Sequence, residues 1–432
     1  MIASLAFTLA GGMSGAEPKR VEVAAYYFPG YHADPRIDAR KGPGWNEWDL
    51  ARAAKPRFEG HAQPRVPAWG YQDEADPRAM AMKIAAAADH RVDAFIFDWY
   101  WYEDKPYLNR ALDRSFLKAP NRGRIKFALM WANHDWLDCM PAIEGKPLPL
   151  IYHGAVDEHV FGHVTDEAVR YFRQPNYWRV GGKPYYSIYE VMTLVNGLGG
   201  IEKTRAALDA FRAKARAAGL PGIHLNAVGW GPLTPDLVTK LGFDSVTDYT
   251  WAHHLAPEPY AEWARKSEAQ WPQFQAKWPV PYFPNVSAGW DNTPRFSWLT
   301  NVTQSTPIEF ESALSQAKTF LDGRGDGPKV LTVNSWNEWT EGSYLEPDMT
   351  NGMGHLEAVG RVFGGKAAAR YPDARPEAVL RMDAKDQGIV LRHGDGPDGC
   401  DLLGAREAIV CAVAIADAAR ANSPTANFTP ED

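Results

Sequence analysis

Cysteine is nearly missing from this chain of 432 residues, which holds only Cys139, Cys400 and Cys411. The odd count and the lack of a Cys-x-x-Cys pair exclude a disulfide-dense scaffold and a zinc finger. Cys400 and Cys411 would lie roughly 16 Å apart along a single helix, too far to bond, but within reach across an extended hairpin. No internal apolar run approaches the roughly 20 residues of a membrane-spanning helix. An excess of positive charge is also absent. Lys and Arg number 46 against 53 Asp and Glu, for a net charge of −7, which argues against a nucleic-acid partner.

Several chemical signatures are lacking too. No Gly-x-Gly-x-x-Gly follows the first apolar run, against a dinucleotide fold. There is no Gly-x-Ser-x-Gly elbow and no His-Glu-x-x-His. The run Asp322–Gly327 has no phosphate-loop lysine and reads as a loop. His159 and His163 stand at i, i+4 in a predicted helix, but without the acid of a metalloprotease motif they read as exposed or satisfied histidines. No metal ligand set and no cofactor is expected.

Aromatic residues are plentiful: Trp 17, Tyr 18 and Phe 18. Eight apolar or β-branched runs read as strands: Val21–Phe28, Ala94–Trp99, Ile125–Trp131, Pro184–Tyr189, Ile223–Val228, Ser245–Tyr249, Tyr282–Val286 and Val330–Trp336. Helical patterns lie between most of them, over 77–90, 157–172, 200–218, 257–270 and 308–321, the first opened by the N-cap pair Asp76-Pro77. Eight alternations predict an α/β chain folded as a (β/α)8 TIM barrel, with a doubly wound open sheet as the rival. The barrel is expected over residues 19–365. Apolar residues 2–10 followed by Ser14-Gly15-Ala16 predict an export signal over 1–18, hence a periplasmic or secreted protein, with a cytoplasmic one as the alternative. Residues 366–432 read as a short, partly disordered C-terminal appendage.

The segment Asn334-Ser335-Trp336-Asn337-Glu338-Trp339-Thr340-Glu341-Gly342 after the eighth strand carries the chemistry. Two carboxyls and flat aromatic faces suit a sugar-cleaving site, where one acid donates a proton and the other accepts one or attacks. The bland reading is two solvated acids at a helix start. If the chain turns helical after Trp336, Glu338 and Glu341 share a face with Cβ atoms about 5–6 Å apart. That is close to the roughly 5–5.5 Å carboxyl spacing of retaining glycosidases. Like charges so near would raise one pKa and yield an acid and a base from one residue type.

Barrel sites lie at the C-terminal ends of strands. Trp or Tyr stands beside an amide or carboxylate at most of these ends, as expected for a polyol cleft. The candidate carbohydrate contacts are Tyr27, Asp98, Trp99, Trp131, Asn133, His134, Tyr189, Glu190, Trp230, Tyr249, Trp290, Trp336, Asn337 and Tyr344. A second Trp-Asn-Glu-Trp, at Trp45–Trp48 in the long first loop, reads as chance, with the alternative that Glu47 lines the same cleft.

These residues carry a resemblance. Tyr26-Tyr27-Phe28-Pro29, Phe97–Trp101, Trp131-Ala132-Asn133 and above all Trp336-Asn337-Glu338-Trp339-Thr340-Glu341-Gly342 resemble glycoside hydrolase family 99 and its WbsX-like relatives, over about residues 21–362. The resemblance implies a (β/α)8 barrel and an endo-acting, retaining enzyme of the α-mannosidase or α-mannanase type, with no catalytic metal. By the same resemblance Glu338 is the base on the sugar 2-hydroxyl, which attacks C1 to form a 1,2-anhydro sugar. Glu341 protonates the leaving oxygen and then activates water. Thr340 stands where family 99 usually has histidine, and Asp98 ends the second strand, which places the chain nearer the WbsX-like branch. That branch also suggests a glycosyltransferase or polysaccharide-assembly enzyme, and a non-catalytic glycan-binding barrel is a third reading.

Overall fold

The computed structural model describes residues 20–365 and, in backbone only, a short antiparallel ladder of Arg392–His393 with Cys400–Asp401. The expected export signal, Cys411 and most of the C-terminal appendage lie outside the described residues.

Eight parallel strands form the centre. They are β1 (Glu22–Tyr27), β2 (Ala94–Tyr102), β3 (Lys126–Trp131), β4 (Lys183–Ile188), β5 (His224–Val228), β6 (Ser245–Thr247), β7 (in two pieces, Tyr282–Phe283 and Asn285–Ser287) and β8 (Val330–Asn334). Each pairs in parallel with its sequence neighbour, and β8 pairs with β1. Closure occurs at β7. Its first piece pairs with β6 and its second with β8. Pro284 divides them because it has no N–H for the ladder, although its carbonyl still accepts from the Thr332 N–H at 3.0 Å. The result is a closed barrel, as the alternation predicts, and not an open sheet.

Helices cover the outside: α1 (Pro77–Asp89), α2 (Glu158–Phe172), α3 (Ile201–Ala217), α4 (Pro235–Leu241), α5 (Tyr260–Glu268), α6 (Pro307–Asp322) and α7 (Gly354–Phe363). Their starts are legible chemistry. Asp76 accepts from the Arg78 N–H ahead of Pro77, and Thr306 forms a capping box with Glu309 ahead of Pro307. Between β2 and β3 the sequence has no long amphipathic repeat, and single irregular turns at Ala111–Ser115, Phe116–Lys118 and Arg122–Arg124 stand where a helix would be.

The strands bury nearly everything, including polar groups. A row of these satisfies itself from strand to strand. Ser187 donates to Asn226 at 2.8 Å, Asn226 to Ser245 at 2.8 Å, and Asn285 to Thr332 at 3.2 Å. Hydrogen-bonded in this way, the buried groups avoid most of their desolvation cost and fix strand register.

Candidate active site

The Glu338–Glu341 segment is not helical. Asn337–Glu338 forms a two-residue strand antiparallel to Ser343–Tyr344, and only Trp339–Glu341 makes a single 3-10 turn between them. Gly342 closes this hairpin at φ +66°, and a Cβ there would sit 2.8 Å from the Asp291 nitrogen and 2.5 Å from its Cβ. The expected i, i+3 helical face is therefore corrected to a tight hairpin, which glycine permits and a helix could not accommodate.

A buried polar cluster holds the hairpin from below. Asn337 exchanges hydrogen bonds with the Phe28 backbone at 2.7 and 2.8 Å, and donates to Glu74 at 2.7 Å. Lys83 bridges Glu74 and Glu346, each at 2.7 Å. The indoles of Trp336 and Trp339 both donate to Glu346 at 2.8 Å. One lysine between two carboxylates leaves a negative remainder, and burial pushes the Glu74 carboxyl up, with Lys83 opposing it.

Above the hairpin opens a cleft of about 700 Å³. Glu338 and Glu341 both line it, with Asp98, His134, Tyr189, Glu190, Trp230 and Tyr249 from the sequence-level candidates. The Tyr249 hydroxyl lies 2.9 Å from Asp98 Oδ2 and 3.0 Å from Glu338 Oε1. A phenol has one proton and cannot donate to both at once, so one carboxyl must supply a proton to this chain. Burial pushes Glu338 well above the usual carboxylate range, and the nearby Glu341 charge pushes the same way. Burial also raises Asp98, against the Tyr249 hydrogen bond, which lowers it. Glu341 is raised by burial and pulled back by Arg295.

Arg295 is the organising cation. It donates from Nη1 to Glu341 Oε1 at 2.6 Å, from Nη2 to Glu47 at 2.9 and 3.1 Å, and from Nε to Glu47 at 3.3 Å, and lies 3.5 Å from Glu338. Burial works against its charge, but Glu47, Glu341 and Glu338 outweigh it and keep it protonated. With Arg295 balanced by Glu47, three carboxyls remain (Asp98, Glu338 and Glu341). Burial raises all three, and the Glu341 charge raises Asp98 and Glu338 further, so their simultaneous ionisation is disfavoured. An acid and a base thus coexist a few ångströms apart, with Glu341 the more open of the pair at 15% side-chain exposure against 5% for Glu338.

Other sequence-level candidates fall elsewhere, largely because successive side chains on a strand point to opposite sides. Asp98 faces the cleft while Trp99 packs outward against Trp101 and Tyr171. Met130 lines the cleft and Trp131 packs on Phe161 of α2. Tyr27 donates to Glu74, in the cluster beneath the hairpin. Trp336 and Asn337 belong to that cluster, and Tyr344 stacks on Trp339 at 3.8 Å and donates to Asp348. Asn133 clamps Glu190 through two backbone hydrogen bonds of 2.8 Å. Trp290 sits in a small ladder with Thr303, outside the cleft lining.

Sequence reasoning missed Arg295, which lies in a loop with no strand-end signal. A surplus of acids around the site was the hint that a cation had to be present. Phe28, Tyr100 and Trp136, which stand at strand ends but outside the candidate contacts, also line the cleft, as does Phe296. Glu47 does reach the site, but as the buried partner of Arg295 and of the Thr340 hydroxyl, not as a lining residue.

Comparison with known proteins agrees with the fold. The family model described as glycosyltransferase WbsX matches residues 23–359, and the chain belongs to that family. An uncharacterized protein WxcX of Xanthomonas campestris pv. campestris (strain B100) is 29% identical over 375 residues, covering 82% of this chain and 50% of that protein. The chain thus spans about half the length of the curated relatives it matches. Among solved structures, a glycoside hydrolase-like protein superposes with a TM-score of 0.52 at 15% identity, over 83% of this chain and 98% of that one. A GH99 endo-alpha-mannosidase from Bacteroides thetaiotaomicron has a TM-score of 0.49 at 14% identity, over 76% of this chain and 88% of its own. The fold is a TIM barrel, shared with that glycoside hydrolase-like protein.

Proposed function

We propose that this chain is a retaining glycoside hydrolase that cleaves α-glycosidic bonds in a poly- or oligosaccharide, with Glu338 and Glu341 as its acid and base. The observation that carries this reading is the three-carboxyl unit in an aromatic-lined cleft, organised by Arg295 and Tyr249. Such a unit holds both a proton to give and an ionised group to receive one. In the route we favour, substrate binding passes the proton shared among the carboxyls to Glu341; Glu338 then draws the proton from a sugar 2-hydroxyl as that oxygen attacks C1, while Glu341 protonates the departing glycosidic oxygen. Water then opens the 1,2-anhydro ring, giving its proton to Glu341, while the ring oxygen recovers its proton from Glu338. The more exposed position of Glu341 suits contact with a leaving group and with water.

A second reading, transfer from a nucleotide-activated sugar, has the name of the family in its favour. The cleft chemistry argues against it. Arg295 is the one Lys or Arg in the lining among the described residues, and its donors already serve Glu47 and Glu341. A diphosphate would meet Asp98, Asp135, Glu190, Glu338 and Glu341 with no unpaired cation to hold it. The non-catalytic reading leaves unexplained why three carboxyls are desolvated together.

The deciding experiment is incubation of the protein with a panel of polysaccharides and, separately, with sugar nucleotides plus acceptors, with product masses read out. Shortened chains carrying added water support hydrolysis. Elongated acceptors formed only in the presence of a sugar nucleotide would assign the chain to transfer.

A further inference from the structure

Away from the cleft, the tip of the β2 hairpin meets α2. The two strands of that hairpin pair down to Tyr102 and Lys105, so Glu103 and Asp104 form a two-residue turn. Both have positive φ, +50° and +58°, where such turns normally hold Asn or Gly. The turn holds Asp104 over His159 and His163, which lie one turn apart on α2 with ring centroids 4.5 Å apart. His163 Nδ1 is 2.8 and 2.9 Å from the two Asp104 oxygens. One ligand atom from each of the three residues lies within 4.8 Å of the others, and all three are exposed.

We propose that Asp104, His159 and His163 bind a divalent transition-metal ion of the zinc class, with water completing the shell. The chemistry supports this choice. Two imidazoles and one carboxylate form a borderline donor set that suits zinc, nickel or copper and not calcium or magnesium. Metal bonds of about 2.0–2.2 Å in a tetrahedral shell put ligand atoms roughly 3.3 Å apart. The ligand atoms stand within 4.8 Å of one another on exposed side chains, so only a modest closure separates them from that geometry. Because the ligands come from two elements, the ion ties the hairpin to α2. Both elements border a groove of about 340 Å³ lined by Tyr102, Tyr152 and His153, and His153 also lines the main cleft. The bound ion therefore ties the hairpin to α2 beside that groove and is not part of the bond-breaking machinery.

The test is titration of the tag-free, full-length protein with Zn²⁺ by calorimetry, repeated on His159→Ala, His163→Ala and Asp104→Asn. Thermal midpoints are measured with and without Zn²⁺. Saturable uptake of one equivalent is expected, weakened at least tenfold in each variant. The midpoint should rise with Zn²⁺ in the wild type and by less in Asp104→Asn, in step with the weakened affinity. The variants are surface changes and should fold as the wild type does, which circular dichroism checks. No saturable uptake, uptake that survives both histidine changes, or affinity and midpoint shift unaltered in Asp104→Asn would overturn the three-ligand site.

Discussion

Replacing Arg295 by Met exposes the electrostatic design of the site. The guanidinium contacts Glu341 at 2.6 Å and Glu47 at 2.9 Å, with Glu338 at 3.5 Å. A pair of unit charges 4 Å apart is worth about 4 kcal/mol at an effective dielectric constant of 20. Part of that is cancelled by desolvation, and removing one partner of a buried pair typically costs about 3–5 kcal/mol. A carboxyl stranded in this way can escape by binding a proton, at about 1.4 kcal/mol for each pH unit between solution pH and its raised pKa. The sign follows from linkage. A carboxyl whose folded pKa lies above its unfolded value makes the folded state bind more protons, so stability declines as pH climbs from the unfolded pKa to the folded one. Arg295→Met should therefore be destabilised by about 3–5 kcal/mol at pH 7.5 and by about half that or less at pH 5. Urea denaturation at both pH values measures this. A deficit equal at the two pH values, or one below about 1 kcal/mol at pH 7.5, would refute the view that Arg295 offsets the buried charge of Glu47, Glu341 and Glu338.

Further expectations concern the same constellation. Tyr249→Phe removes the hydrogen bond that lowers Asp98, so its carboxyl rises further and the ascending limb of the pH–rate profile should move to higher pH. An unshifted profile would place Tyr249 outside the proton chain. Gly342→Ala puts a Cβ against the Asp291 backbone at positive φ, and should destabilise the fold by about 1–3 kcal/mol while reducing activity, by displacing the hairpin. Equilibrium unfolding and a rate assay together check it. Lys83→Met leaves Glu74 and Glu346 facing each other without a cation, for a loss of about 3–5 kcal/mol that shrinks as pH falls. Oligosaccharides carrying uronic acids should bind more weakly than their neutral counterparts, with the difference fading at high salt, because the cleft is lined by five carboxyls and one arginine. Salt-independent discrimination would point to shape instead.

The barrel was legible because each strand is a short apolar run separated by helical periodicity, and helix starts such as Asp76-Pro77 declare themselves by local chemistry. The seam at Pro284 was not, since only the pairing on both of its sides shows that one run of chain closes the barrel. The place of Glu338 and Glu341 in the cleft lining could be read from their aromatic setting, and that of Asp98 and Tyr249 from their position at strand ends. Trp99, Trp131 and Tyr27 were assigned to the wrong side, because adjacency at a strand end does not set the phase of alternation, which depends on which neighbour faces the barrel interior. The helical reading of residues 338–341 failed because spacing of three suits both a helix and a tight hairpin, and Gly342, needed at positive φ against Asp291, decides for the hairpin. Arg295 and Glu47 come together from loops some 250 positions apart, a distance over which local pattern carries no information.

The most direct measurement compares turnover by the wild type with that by folded Glu338→Gln and Glu341→Gln, on whichever glycan the wild type degrades. Loss of at least three orders of magnitude in kcat in both, with glycan affinity retained, is the predicted result. Near-normal turnover in either variant would contradict the assignment of these two side chains to bond cleavage.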